Sequence, residues 1–297
     1  MISIIICSAK EQLTDLVFNI EQSVGVECEI IVIENVGAKY SIAQAYNIGV
    51  QKSKYKYTCF IHDDVKILSI DWGFKLTSEW TSMENPGLIG VIGTQYKSIF
   101  PSPWTCPDIN LNKGQIWQYP KHSKVNGYLL SYSACKMPVE VVVVDGVFLF
   151  SSKSNLTEVD GFDENLTGFH CYDTSLALKM NFAGKKVFVS HSLLLEHYSE
   201  GKLNNDWFKN QLYLVKKWRL ELPLNSKSPK RINYDLEAKC FKRSIYVFIK
   251  NQVSLKIRVQ YVLFYVFFNR IPLQLYIKII LKTFKSFISS NQKSEAS

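Results

Sequence analysis

Phe60-Ile61-His62-Asp63-Asp64-Val65 is the stretch on which the reading of this chain turns. The residues before it, Tyr57-Thr58-Cys59-Phe60-Ile61, have the composition of a buried strand, and burying a strand does not call for two carboxylates at its C-terminal end. In an open α/β sheet, ligands bind just outside the carboxyl ends of the strands, so Asp63 and Asp64 are expected to face a crevice. Hard carboxylate oxygens at such a place suit Mg²⁺ or Mn²⁺ bridging a diphosphate. A solvated turn or a helix N-cap is the plainer reading of an isolated Asp-Asp pair, so the rest of the chain has to decide.

Upstream, Ile2 to Cys7 reads as a buried strand and Gln12 to Ser23 has the apolar spacing of a helix. Cys28 to Ile33 is a second strand that ends at Glu34-Asn35, and Ser41 to Val50 is a helix with Ser41 as its cap. This β-α-β-α-β order, complete by Val65, predicts an α/β fold with a mostly parallel sheet and flanking crossover helices. Downstream, a helix is expected over Asp71–Met83 and a strand over Leu88–Gly93. Residues 95–137 lack clear periodicity and read as a long functional loop. Val139 to Phe150 reads as one strand, Tyr172 to Ala183 as a helix closed by Gly184, and Lys186 to Ser190 as a last short strand before His197. A helix over Asp206–Trp218 and a linker over Pro223–Pro229 follow.

The chain has 297 residues, 47% of them hydrophobic, enough for one large domain and an appendage. Its net charge of +9 is unevenly spread: residues 1–200 carry 16 Lys/Arg against 21 Asp/Glu, a net of −5, and residues 201–297 carry 19 against 5, a net of +14. The basic end implies an anionic surface as partner, while the acidic remainder argues against nucleic acid. Seven cysteines without a Cys-x-x-Cys pair suit reduced thiols in a cytosol, and the N-terminus reads as a first strand rather than a signal peptide, so a cytoplasmic location is expected.

In the basic end, Pro272 to Ile288 has the pattern of an amphipathic helix. Gln274, Lys278, Lys282 and Lys285 share one face, and Leu273, Tyr276, Ile277, Ile280, Phe284 and Phe287 the other. Phe241, Ile245, Ile249, Val253, Ile257 and Tyr261 recur every fourth residue before it. Neither segment has the apolar length to span a bilayer. Either can lie peripherally on an anionic membrane, or pack on the preceding domain or on a second copy of the chain as a homo-oligomer. The division expected is 1–222 and 223–297.

Taken in order, several landmarks resemble the inverting glycosyltransferases of family 2, which have the GT-A fold, over residues 1–218. Ala45-Tyr46-Asn47-Ile48-Gly49 resembles the helix before that family's metal motif, and His62-Asp63-Asp64 stands in the motif's place. Asp145-Gly146 with Phe148-Leu149-Phe150 resembles the acceptor-side strand. Gly161-Phe162-Asp163-Glu164 followed by His170-Cys171-Tyr172-Asp173 resembles the segment that carries the catalytic base. The resemblance implies transfer of a sugar, with inversion, from a nucleotide-diphosphate donor, a UDP-sugar first among them, to a glycan or lipid-linked glycan. As in bacterial polysaccharide enzymes, the place implied is the inner face of the cell membrane. It implies Asp173 as general base, Asp64 and His197 as ligands of Mn²⁺ or Mg²⁺, and donor contacts from Glu34, His62, Asp63, Asp145 and Gly146.

Each of these has a plainer alternative. His197 can be a packed histidine, Asp173 a carboxylate complementing a helix N-terminus, and Trp104, Trp117 and Tyr119 local packing rather than sugar platforms. Two positions depart from the family pattern: His62 stands where an Asp is usual, and Tyr172-Asp173 replaces Glu-Asp. They support a rival reading, a catalytically silent sugar-binding or scaffold protein on the same fold.

Overall fold

Ile2, Ile4, Ile5 and Ile6 are fully buried, which is what a strand covered on both faces requires, and the sheet is built around them. In the computed structural model, described over residues 1–10, 12–120, 127–132, 137–199, 201, 203–227, 232–266, 277 and 281, the strand β1 (Ile2–Ser8) pairs in parallel with β2 (Cys28–Glu34) and β3 (Tyr57–Ile61). The crossovers are α1 (Thr14–Ser23) and α2 (Ile42–Lys52). A capping box starts α2: the Ser41 hydroxyl accepts from Gln44 N–H and the Gln44 side chain accepts from Ser41 N–H. Gly49 lets α2 lie directly on β1, since a Cβ there would fall 2.3 Å from Ile5 Cγ2.

The chain continues through β4 (Val65–Ile67), α3 (Trp72–Ser82), β5 (Pro86–Gly90), β6 (Ile92–Thr94), β7 (Tyr96–Lys97), β8 (Asn112–Gln118) and β9 (Tyr128–Ser131). Then come β10 (Val139–Val141), β11 (Val143–Val144), β12 (Phe148–Ser152), α4 (Lys153–Glu158), α5 (Tyr172–Phe182), β13 (Lys186–Val189), β14 (Leu195–His197) and β15 (Leu224–Asn225). Seven strands form the main sheet in the order β10-β13-β5-β12-β3-β1-β2. It is mixed rather than mostly parallel, because β12 runs antiparallel to both of its neighbours. A second sheet has the order β11-β6-β8-β14-β4, with β9 on β8, and β7 pairs with β15.

Two expectations need correction. The run from Val139 to Phe150 is three strands: β10 belongs to the main sheet, Val142 leaves the ladder with its N–H on the Thr94 carbonyl, β11 joins the second sheet, and β12 returns after a turn at Asp145–Val147. Val141 to Val144 are all buried, so an unbroken apolar run said nothing about which sheet each residue would join. The stretch 95–137 likewise contains β7, β8 and β9 instead of a structureless loop. Strand β8 reads Asn-Lys-Gly-Gln-Ile-Trp-Gln, and its polar residues conceal an alternation of buried and half-buried positions.

Contacts divide the chain into Met1–Lys97, Trp104–Gly201 and Leu224–Lys230 on the one hand, and Ser98–Pro103, Lys202–Pro223 and Arg231–Ser297 on the other. The helix α6 (Asn205–Lys217) therefore groups with α7 (Tyr234–Lys250) and α8 (Leu255–Val266). Within this second unit Phe248 stacks on Phe208 at 4.5 Å between ring centres and meets Tyr261 edge-on at 4.5 Å, and Phe100 packs on Phe241. Glu237 is buried and accepts from the Ser98 hydroxyl at 2.8 Å. The every-fourth-residue stripe is interrupted between α7 and α8, where Ile249 faces outward while Phe241, Ile245, Val253, Ile257 and Tyr261 are buried. That stripe is thus used in packing. The amphipathic pattern of Pro272–Ile288 lies outside the described residues apart from 277 and 281, and His122 lies outside them as well.

Candidate active site

Two strand ends converge on the acidic turn. β3 delivers His62, Asp63 and Asp64, and β14, antiparallel to β4 with His197 opposite Val65, brings His197 beside Asp64. One ligand atom from each of His62, Asp64 and His197 lies within 4.8 Å of the others. Asp64 Oδ1 is 3.9 Å from His62 Nδ1 and 3.5 Å from His197 Nε2. Burial pushes the Asp64 carboxyl up. Hydrogen bonds from His197 and Ser199 and the charge of His62 outweigh it and hold the group well below the usual carboxylate range. Burial, reinforced by His197, pushes His62 down against the pull of Asp64, Asp145 and Asp63, favouring the neutral imidazole that a ligand must be.

His197 Nδ1 lies 3.3 Å from Gln118 Oε1. The Gln118 amide nitrogen donates to the carbonyls of His197 and Ser199, which fixes the amide's orientation and leaves its oxygen for the ring. A buried imidazole held from behind by an amide oxygen, with its other nitrogen toward a carboxylate, is the usual arrangement of a metal-binding histidine. The set fits a divalent cation.

Asp63 points elsewhere. Ser8, the last residue of β1, donates to its Oδ2 at 2.5 Å, and Lys10 Nζ lies 3.6 Å from its Oδ1 and donates to its carbonyl. Lys10, Asp63 and Asp64 line a cleft of about 530 Å³ with Thr14, Asp15 and Tyr198. Glu34 is opposite Ser8 in the β1–β2 register and exposed at the same sheet end. A smaller cavity of about 170 Å³ is lined by His197, Gln118, Asp145, Trp104, Tyr128 and Leu130. Trp104 is therefore a wall of a cavity, whereas Tyr119 stacks on Tyr198 at 5.0 Å and donates to Glu196, and Trp117 lies in β8 opposite Leu129.

Asp145 turns its Oδ1 back to Val147 N–H at 2.8 Å. Gly146 is then met by the start of α5: its N–H donates to Asp173 Oδ2 at 3.0 Å, and its carbonyl accepts from the Tyr172 hydroxyl at 3.1 Å. A Cβ on Gly146 would lie 2.1 Å from that hydroxyl, so only glycine fits. Cys171 enters the helix in the left-handed region, φ 68°, a conformation that costs a non-glycine residue about 1–3 kcal/mol and that aims Tyr172 and Asp173 at the turn. Burial, and then the charge of Asp145, push the Asp173 carboxyl up to about 7 despite its hydrogen bonds from Thr174 and Gly146 N–H. Tyr172 packs with Tyr46 and Phe162 in an aromatic cluster under the site, and its ring nearest the turn reaches His62. Asp163 accepts from Asn165 within its own turn, and Glu164 accepts from Asn47, which ties the turn to α2.

The glycosyltransferase-like family matches residues 3–218, a span that holds every one of these residues. The chain belongs to that family. Its architecture is the GT-A fold: this glycosyltransferase-like chain superposes on S. aureus TarS 1-349 in complex with UDP-GlcNAc with a TM-score of 0.57 at 11% identity, over 99% of this chain and 91% of that one. It also superposes on GalNAc-T7 with UDP, GalNAc and Mn²⁺, with a TM-score of 0.51 at 12% identity, over 88% of this chain and 54% of the other. The chain spans about half the length of GalNAc-T7. At such identities the likeness is one of fold. No curated protein matches the sequence.

Sequence reasoning missed Gln118, Ser8, Lys10 and Ser199. In β8 only Ile116 and Trp117 are apolar, too short a run to mark the strand that holds Gln118, and small hydroxyl residues carry no pattern of their own.

Proposed function

We propose that the chain transfers a sugar from a nucleotide-diphosphate donor, UDP-sugars first, to a hydroxyl of a glycan or lipid-linked glycan, with inversion and with a divalent cation. The observation that carries the reading is the convergence of Asp64, His62 and His197 at the strand ends, with Asp173 held by Gly146 N–H in the adjoining turn, whose Val147 carbonyl accepts from His62 N–H. The ligands of the two superposed structures, UDP-GlcNAc in TarS and UDP, GalNAc and Mn²⁺ in GalNAc-T7, support it.

Asp64 and His197 would hold the cation, and two imidazoles beside one carboxylate favour Mn²⁺ over Mg²⁺, which prefers all-oxygen surroundings. When bound, such a cation neutralises the charge that gathers on a departing diphosphate. Lys10, in the cleft with Asp63 and Asp64, and Glu34, at the neighbouring end of β2, would contact the nucleotide, and Asp145, in the cavity beside His197, would contact the donor sugar together with Gly146. Asp173 takes the proton of the acceptor hydroxyl as its oxygen bonds to the anomeric carbon and the bond from that carbon to the diphosphate oxygen breaks. A carboxyl near neutral suits a general base, which works best with a pKa close to the operating pH.

A catalytic domain over 1–222 with a basic extension over 223–297 accords with the family match, and peripheral attachment of the extension to an anionic cytoplasmic membrane face accords with its net charge of +11. Among the described residues no helix is long and apolar enough to cross a membrane. The deciding experiment is a panel of nucleotide sugars with and without Mn²⁺, read by thermal shift and by release of nucleotide. Stabilisation by one donor with release of its nucleotide is expected. Stabilisation without release would favour the silent sugar-binding reading, and neither would remove the proposal.

A further inference from the structure

The smaller cavity beside His197 changes in polarity along its length. Cross-strand pairing sets Gln118 opposite Tyr128 and Ile116 opposite Leu130, so one end is polar and the other aliphatic. Ile92, from β6 on the other side of β8, adds to the aliphatic end. Gln118 also pairs with His197, so the polar end is the one at the cation site, and Ile116, the next residue of β8 on that face, lies about 7 Å farther along the strand. Polar groups at the near end are already engaged: the Gln118 amide by His197 and Ser199, and the Ser199 hydroxyl by His197 Nε2 at 3.2 Å. Asp145 is different, because Val147 N–H anchors its Oδ1 and a carboxylate so held still accepts from a ligand. Ile92 and Ile116 belong to the core, Trp104 and Leu130 pack half-buried against it, and Trp104 is set edge-on to Tyr132 at 6.3 Å. The aliphatic end is therefore rigid. Among the described residues, none that lines this cavity is a lysine or an arginine.

This cavity and the larger cleft meet at one pair of side chains: Asp64 lines the cleft, His197 lines the cavity, and Asp64 Oδ1 is 3.5 Å from His197 Nε2. Beyond β14 the chain alternates between the two spaces, Tyr198 lining the cleft and Ser199 the cavity. A diphosphate held at that junction leaves its nucleotide in the larger space and its sugar in the smaller, whose volume of about 170 Å³ suits a single pyranose. We infer that the cavity selects a neutral 2-acetamido sugar on the donor, the acetamido N–H donating to Asp145 and the methyl lying against Ile116 and Leu130. The inference deepens the proposed sugar transfer and rests on it. A plain hexose would turn a hydroxyl toward the aliphatic end, where it exchanges water for hydrocarbon. The methyl of a 6-deoxy sugar is attached to the ring itself and reaches less far toward that end. A uronic acid would bring a second carboxylate beside Asp145, with no lysine or arginine among the described lining residues to offset it.

Donors that share one nucleotide isolate the contribution of the sugar. Calorimetry on the full-length chain in Mn²⁺ compares UDP-GlcNAc with UDP-Glc and UDP-GalNAc with UDP-Gal, with UDP and UDP-GlcA alongside. In the better-bound pair the acetamido sugar should bind roughly 10–200-fold more tightly, the range that a methylene-sized difference gives in an apolar pocket. UDP-GlcA should bind more weakly than either member of that pair. Leu130→Ala, at a half-buried position, should narrow the gap within the pair while UDP binds as it does to the wild type, which also shows that the variant is folded. Acetamido and plain sugars that bind the wild type equally, or UDP-GlcA that binds as tightly as the acetamido donors, would overturn the inference without recourse to a variant. A gap left unchanged by Leu130→Ala in a chain that still binds UDP would do the same. If UDP binds and the sugars are not told apart, the nucleotide-sugar reading stands and this inference falls. If neither UDP nor any of its sugars binds, both fall.

Discussion

Asp64 and Asp63 are neighbours with different surroundings, and their substitutions should part company accordingly. Asp64 faces two imidazoles, whereas Asp63 is engaged by Ser8 and Lys10. Asp64→Ala is expected to abolish the Mn²⁺-dependent part of nucleotide-sugar binding measured by calorimetry, and Asp63→Ala to weaken binding less. Equal donor affinity for Asp64→Ala and wild type in Mn²⁺ would withdraw Asp64 from the metal. For Asp173→Asn, donor binding should persist while transfer falls by about 10²–10⁴, the usual share of a general base. Because Asp173 titrates near 7, transfer should rise as pH passes through that value. Asp145→Asn removes a nearby negative charge and should move the rise to lower pH. The sign for stability is the reverse of the activity trend. A carboxyl whose folded pKa lies above its unfolded value of about 4 binds its proton more tightly when folded, so wild-type stability declines as pH rises from about 4 to about 7. Urea melts at pH 5 and pH 8 should therefore shift in favour of Asp173→Asn at the higher pH. Asp64, held low, contributes in the other direction, with stability present above its unfolded pKa and lost as pH falls below it.

Helix α2 and the second unit show how local signals translate into elements. The capping box at Ser41 satisfies two otherwise unpaired N–H groups at the start of α2, and Ser41→Ala is expected to cost about 0.5–2 kcal/mol in denaturant unfolding, with Ser41→Gly costing less. An unchanged midpoint would mean that packing of Tyr46 and Gly49 on the sheet fixes the helix without the cap. In the second unit, the helix pattern of Asp206–Trp218 and the apolar stripe of α7 and α8 turned out to be halves of one packing problem, with Phe208 against Phe248 and Ser254 N–H on Asn205 Oδ1. A chain ended near Asn233 would leave Phe208 and Phe100 uncovered. Such a truncation should aggregate in size-exclusion chromatography; a monodisperse peak would show that α6 needs neither later helix.

Over the whole molecule, charge is the property that composition states best. Nineteen basic residues against five acidic ones over 201–297 lie in a region whose regular apolar stripe, Ile249 apart, is buried, so lipid binding would draw on electrostatics and on exposed groups such as Tyr246, Ile249, Leu255 and Val259. Full-length protein should co-sediment with vesicles containing anionic lipid at low salt, each basic residue near the surface contributing about 1 kcal/mol, and be released as salt shortens the screening length. Protein that stays in the supernatant at low salt would assign the extension to packing or self-association.

The order of the N-terminal elements could be read from the chain because each signal is local. An apolar run, a cap and a pair of carboxylates after a strand all lie within one element, so β1 to β3, α2 and the place of Asp64 needed no knowledge of the fold. What no local pattern carried was partnership. The valines 141–144 are apolar whichever sheet they join, Gln118 lies in a strand with polar composition, and Tyr172 is one more apolar helix residue until Gly146 and His62 meet its hydroxyl. Hydrogen-bond partners are separated by 79 residues between Gln118 and His197 and by 110 between His62 and Tyr172. Only chain folding brings such groups within the short, directional reach of a hydrogen bond, and it was the tertiary structure that decided which nitrogen of each histidine faces Asp64.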